Sequence, residues 1–252
     1  MSNESLSRPN YRSWLWLGLA FALSFVAAGR WTIPLAAWIA PIFMLRFVRQ
    51  QPVLRGYLIG ATAAALSGAV IWDGLVPFSG VAFYGFVVVT ALIGFLPFLA
   101  DRLMAPRLGG VVGTLVFPAA VTTLEYLLSF GDYGTWGAAA YTQQNLTLLQ
   151  LTSVTGLWGV AFLMFWTASV ANAVWEARFE WTRVRLSALL YGGTLAAVLI
   201  FGSVRLGASS TDAATTVATV TGTRHAGNFL SSVDMSDAAA FRDSMRAVQQ
   251  DY

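Results

Sequence analysis

The chain has 252 residues, 57% of them hydrophobic and only 11% charged, with a formal net charge of +3. Soluble domains carry about 25% charged residues, so this composition excludes an ordinary soluble globule and predicts a protein that crosses a membrane several times. Cysteine and lysine are absent, all fifteen basic residues are arginine, and there is one histidine. That excludes a thiol or Schiff-base nucleophile, a lysine-bearing phosphate loop and a thiolate- or histidine-based metal site within this sequence. No cofactor is expected, and so small a net charge gives no reason to expect a nucleic-acid partner.

In chain order, apolar runs predict seven spans, over residues 13–29, 31–48, 56–72, 78–100, 111–130, 156–175 and 186–204. Each suits a hydrocarbon core of about 30 Å. The first run has a second reading as a secretory signal, with Val26-Ala27-Ala28 as a small-residue cleavage site. Its length, and the apolar run that restarts at Trp31, favour a helical hairpin. In the third run Gly60, Ala64 and Gly68 recur every four residues and predict a seam that lets another helix approach closely. Gly109, Gly110 and Gly113 read as a turn and a helix start, because no lysine follows them.

Arginine sets the expected topology. With the N-terminus in the cytoplasm, Arg8, Arg12, Arg46, Arg49, Arg55, Arg102, Arg107, Arg178, Arg183 and Arg185 fall inside. Only Arg30 falls in an outside connection between spans, the distribution that the positive-inside rule favours. Seven crossings then put residues 131–155, and everything after about residue 205, outside. From Ser209 the composition becomes polar. Thr215–Gly222 reads as a strand, and a helix follows from Ser236 or Asp237 with Phe241, Met245 and Val248 on one face. A strand, a loop and a helix open an α/β domain, but one of each cannot bury a core. The expectation is therefore an all-α polytopic membrane domain of about seven helices over 1–206. Residues 207–252 would form the first strand and helix of an incomplete extracytoplasmic α/β domain.

Within Thr122–Glu176, three segments stand out: Leu124-Glu125-Tyr126, Gly137 to Gln143, and Thr155-Gly156 to Leu163. In this order and spacing they resemble the membrane domain of the apolipoprotein N-acyltransferases and their membrane-bound nitrilase-like (carbon–nitrogen hydrolase) relatives. The resemblance implies a multi-pass protein of the bacterial inner membrane with phospholipid as acyl donor and the N-terminal amine of a lipoprotein as acceptor. It also implies a Glu–Lys–Cys triad in the extracytoplasmic hydrolase domain: Glu as base, the thiolate as nucleophile, and Lys at the developing oxyanion. Two departures qualify it. Without lysine or cysteine, and with none of Glu4, Glu125, Glu176 or Glu180 in the tail, this chain alone carries no triad and is expected to be inactive. The first hairpin, "FVAAGRWTIPLAAWIAP", lacks the family's "PFG"-like turn, so the acyl acceptor could differ.

The candidate contact residues each have two readings. Glu125 lies inside its span, where a carboxylate is costly; it either ties a helix or loop in place or touches substrate. Tyr133, Trp136, Tyr141, Gln143 and Gln144 form either an aromatic interface belt or a surface for a lipid headgroup and acyl entry. Arg30 either snorkels at a span end or meets a lipid phosphate. Gln144–Gly156 is expected to lie along the interface. For the whole chain, the competing readings are a seven-span small-solute transporter and a non-catalytic lipid-binding scaffold. The lack of an internal repeat and of charge at any span centre weighs against a transporter.

Overall fold

A computed structural model of the protein describes residues 11–208, together with Arg242. The strand expected at 215–222 and the helix expected from Ser236 or Asp237 lie outside the described stretch. All regular structure within it is helical: α1 (Tyr11–Ala27), α2 (Pro34–Arg49), α3 (Val53–Ile71), α4 (Gly80–Gly94), α5 (Leu96–Leu108), α6 (Gly110–Leu128), α7 (Leu146–Leu149), α8 (Thr152–Thr155), α9 (Leu157–Glu176) and α10 (Trp181–Ala208). Two one-turn 3-10 helices, Gly29–Trp31 and Ala139–Thr142, sit in connections.

Five stretches are long and apolar enough to cross a bilayer: Val53–Ile71, Gly80–Leu108, Gly110–Leu128, Leu157–Glu176 and Trp181–Ala208. α1 and α2 are shorter, at 17 and 16 residues. Their outward faces stay apolar. α10, for example, leaves Leu186, Leu189, Leu190, Ile200 and Val204 exposed, a surface suited to lipid and not to water.

One predicted span differs in shape. The run at 78–100 is two helices, α4 and α5, broken at Phe95 and reaching Leu108. Pro97 explains the break: it has no N–H to donate and its ring disfavours a continuous helix, yet it is well accommodated in the first turn of α5. The Tyr57 hydroxyl of α3 donates to the Leu92 carbonyl beside the break, at 2.8 Å.

α9 is the centre of the bundle. It packs on α2, α6 and α10 and under the 3-10 turn at Ala139–Thr142. One core cluster joins Ala37 of α2, Ala140 and Leu148 of the connection, and Val160, Leu163, Met164, Trp166 and Val170 of α9. A second joins Ala20, Met44, Phe47, Val48, Ala61, Ala63 and Phe95. Polar side chains lock the crossings where hydrocarbon supplies no partner. Asn172 donates to the Ile42 carbonyl of α2 at 2.9 Å, and Trp166 donates to the Thr114 hydroxyl of α6 at 3.1 Å. The Gly60 seam is a close approach, since a Cβ there would lie 2.1 Å from the Phe95 ring.

The two ends of the bundle differ. At the arginine-rich end, Arg49 grips Asp101 of α5 with two hydrogen bonds of 2.8 and 2.7 Å, and Glu176 of α9 lies 3.4 Å from the same guanidinium. Asp101 is fully buried. This network clamps α2, α5 and α9 together. The other end is covered by residues 129–156.

Candidate functional site

Small side chains create a recess between the helices. Ala20, Ser24 and Ala27 of α1, Ala37 and Ala40 of α2, Ala64, Ser67 and Gly68 of α3, and Ala91 and Gly94 of α4 all face one cavity of about 460 Å³. Close-packed interiors rarely leave such a space. Here it exists because four helices present Ala, Gly or Ser where bulkier residues would meet. Trp72, Phe95, Phe98 and Phe165 supply aromatic walls. On α1 the lining runs from Ala27 to Ala20, which at about 1.5 Å per residue is roughly 10 Å of depth. An apolar cavity of this size falls in the range of ligand sites, about 300–1,000 Å³.

Its arginine-poor end is roofed by Gly137, Ala139 and Thr142 and carries one acid, Glu125. Glu125 Oε1 accepts the Ala139 N–H at 3.0 Å, tying the roof to α6. Glu125 Oε2 is buried and has no hydrogen-bond partner among the described residues. The acid therefore links α6 to the roof and keeps one acceptor unspent at the edge of the cavity.

The other candidates divide between two positions. Gln143 is buried: its Oε1 accepts from Trp38 Nε1 at 2.8 Å, and its Nε2 donates to the Thr142 hydroxyl at 2.8 Å and the Pro34 carbonyl at 3.4 Å. Its amide is consumed in strapping the roof to α2. Gln144, its neighbour, is exposed. Trp136 packs on Trp72 with ring centroids 4.9 Å apart, and Tyr133 packs on Phe78 and Phe86 at 6.4 and 6.2 Å. Both keep about half their surface open. Tyr141 is exposed and shares a 2.8 Å hydrogen bond with Thr135. Arg30 lies in the 3-10 turn Gly29–Trp31, between α1 and α2.

The segment after Gln144 is two separate turns. Asn145 caps α7 by accepting the Leu148 N–H at 3.0 Å, and Gly156, at φ +63°, ends α8. α10 holds α7 closely: Arg205 donates to Gln150 Oε1 at 3.1 Å, and Gly202 sits against the Thr147 carbonyl.

The sequence alone marks Ala64 only as part of a packing seam, and it does not mark Trp38, the cavity or the Arg49–Asp101–Glu176 clamp. Trp38 and Gln143 are 105 positions apart, and nothing local marks them as partners. Among the described residues no group of three or more His, Cys, Asp or Glu side chains is placed to hold a metal ion. Comparison of the sequence with protein-family models, with curated proteins and with solved structures finds no match in any of the three.

Proposed function

We propose that this chain is the membrane domain of an apolipoprotein N-acyltransferase-like enzyme, and that its cavity holds an acyl chain of the phospholipid donor. The observation that supports this is the shape of the space. It is mostly apolar and about 10 Å deep, and its one ionisable group, Glu125, lies at the end roofed by residues 137–142. An acyl chain would enter tail first and leave its ester near the roof. The reaction breaks the glycerol ester and forms an amide on the acceptor amine, with catalytic residues that do not lie in residues 1–252. Exposed Tyr133, Trp136, Tyr141 and Gln144 would then form the rim at headgroup level.

The same reading has seven crossings, with α1 and α2 as a short first hairpin, an N-terminus in the cytoplasm and the roof outside the bacterial inner membrane. The arginine distribution supports it. α1 and α2, at 17 and 16 residues, are shorter than the five long apolar helices, and in this reading the bilayer accommodates them by local thinning.

The test is acyl transfer by the full-length gene product in membranes depleted of the host enzyme, with phospholipid labelled on the acyl chain and a lipoprotein peptide as acceptor. The expected result is label on the peptide amine, lost when Ala64→Phe fills the cavity. Correctly inserted protein that gives no labelled peptide would refute the assignment.

A further inference from the structure

A second pocket, of about 340 Å³, lies at the arginine-rich end, between the α5–α6 turn, the end of α9 and the start of α10. It is separate from the acyl cavity and shares no residue with it. Three features of it converge on an anion. The first is the start of α6. Gly109 and Gly110 line the pocket with φ of +60° and +51°, a turn that L-residues disfavour. That turn brings α6 against α5 so closely that a Cβ on Gly113 would lie 2.8 Å from the Ala105 carbonyl. No side chain caps α6. The amides that precede Gly113, whose own N–H reaches the Gly109 carbonyl, have no intrahelical acceptor and lie at the positive end of the helix dipole, where Gly110 lines the pocket.

The second is Ser187 of α10. It lines the pocket, is only 6% exposed, and makes no hydrogen bond among the described residues. A hydroxyl on so little exposed a helical residue ordinarily bonds back to the preceding turn or to a neighbour. This one is left free, facing the space. The third is charge. Arg49 is matched by Asp101 and Glu176, and Arg183 by Glu180 at 2.5 Å. Arg102, also in the lining, has no carboxylate partner among the described residues. Its guanidinium makes only long bonds, of 3.4 and 3.5 Å, to the Gln51 carbonyl.

We propose that this pocket binds a phosphate group, held by the α6 amides, the Ser187 hydroxyl and the Arg102 guanidinium. Uncapped amides and a hydroxyl donor suit an acceptor-rich tetrahedral anion, and a guanidinium supplies the charge. The glycines provide close backbone approach without the lysine of a nucleotide-binding loop, so a single phosphate fits better than a triphosphate. The phosphate comes either from an anionic lipid headgroup in the adjacent leaflet or from free solute.

The experiment follows the thermal unfolding midpoint of the purified chain in neutral detergent at constant ionic strength. One arm titrates inorganic phosphate and the other short-chain phosphatidic acid, with chloride held constant to remove general screening. The expected result is a saturable rise with at least one probe, whose half-saturation moves about ten-fold higher in Ser187→Ala and further in Arg102→Gln. A response to phosphatidic acid alone identifies the headgroup as the source, and a response to both identifies a site open to solute. Ser187→Ala removes one hydroxyl and keeps the helix, so it reads the site even if Arg102→Gln folds poorly. No saturable rise with either probe, or an unchanged half-saturation in folded Ser187→Ala, overturns the proposal.

Discussion

Substituting Asp101 by Ala removes the acceptor of two Arg49 hydrogen bonds, of 2.8 and 2.7 Å, at a site where the carboxylate is fully buried and Arg49 nearly so. Breaking a buried pair from one side strands the other charge, which costs about 3–5 kcal/mol. Glu176 stays 3.4 Å from the Arg49 guanidinium but is half-exposed and less well aligned. It compensates in part, so the expected loss is near the lower bound, about 3 kcal/mol. Glu180–Arg183 provides an internal standard. Its separation is shorter, at 2.5 Å, but the two side chains are 52% and 70% exposed, so Glu180→Ala should cost no more than about 1 kcal/mol. Burial, not distance, decides between the two. The assay is reversible unfolding in mixed micelles for Asp101→Ala, Arg49→Met, and the two combined. The double variant removes both charges and should be less destabilised than the two single losses summed. An Asp101→Ala loss of about 1 kcal/mol or less, or strict additivity, would refute the clamp.

Three further outcomes follow from named contacts. A Cβ at Gly202 would lie 1.9 Å from the Thr147 carbonyl, so Gly202→Ala must push α10 off α7, at a cost of about 1–3 kcal/mol. Gly193→Ala, on the same helix with nothing near its Cβ, should be neutral or slightly stabilising by the same unfolding measurement. Trp38→Phe leaves the buried Gln143 Oε1 without its donor; it should cost about 1–3 kcal/mol and speed amide hydrogen exchange across Ala139–Gln143, whereas unchanged exchange would mean that the strap is idle. Because the chain has no cysteine, Gln144→Cys and Leu108→Cys can be labelled separately with a membrane-impermeant maleimide. In intact spheroplasts only Gln144→Cys should react, and the opposite pattern would invert the topology.

How much was legible depended on whether the cause lay within one run of residues. The long apolar runs announced α3, α6, α9 and α10 to within a few residues, because hydrophobic length is a local property. The break at Phe95 was not announced, since Pro97 interrupts hydrogen bonding without interrupting apolarity. Small residues were ambiguous. Gly60 and Ala64 share one stripe, yet Gly60 lies against the Phe95 ring while Ala64 opens on the cavity. What stands opposite on another helix decides the difference, and one stripe alone does not carry it. Gln143 and Gln144 make the same point more sharply. They are adjacent, identical amides, but Trp38 engages only the first. Asp101 stands beside Arg102 in α5, but its partner is Arg49, 52 positions away.

Phospholipid carrying a diazirine on its acyl chain, incorporated in nanodiscs with the purified chain and mapped by mass spectrometry after photolysis, tests directly whether the cavity takes an acyl chain. Adducts are expected on cavity-lining residues such as Met44, Ala64 and Thr90, with their loss in Ala64→Phe while labelling of the outer faces persists. Adducts confined to the outer faces, such as Leu189 and Ile200, or cavity adducts that Ala64→Phe leaves unchanged, would contradict acyl-chain binding in the cavity.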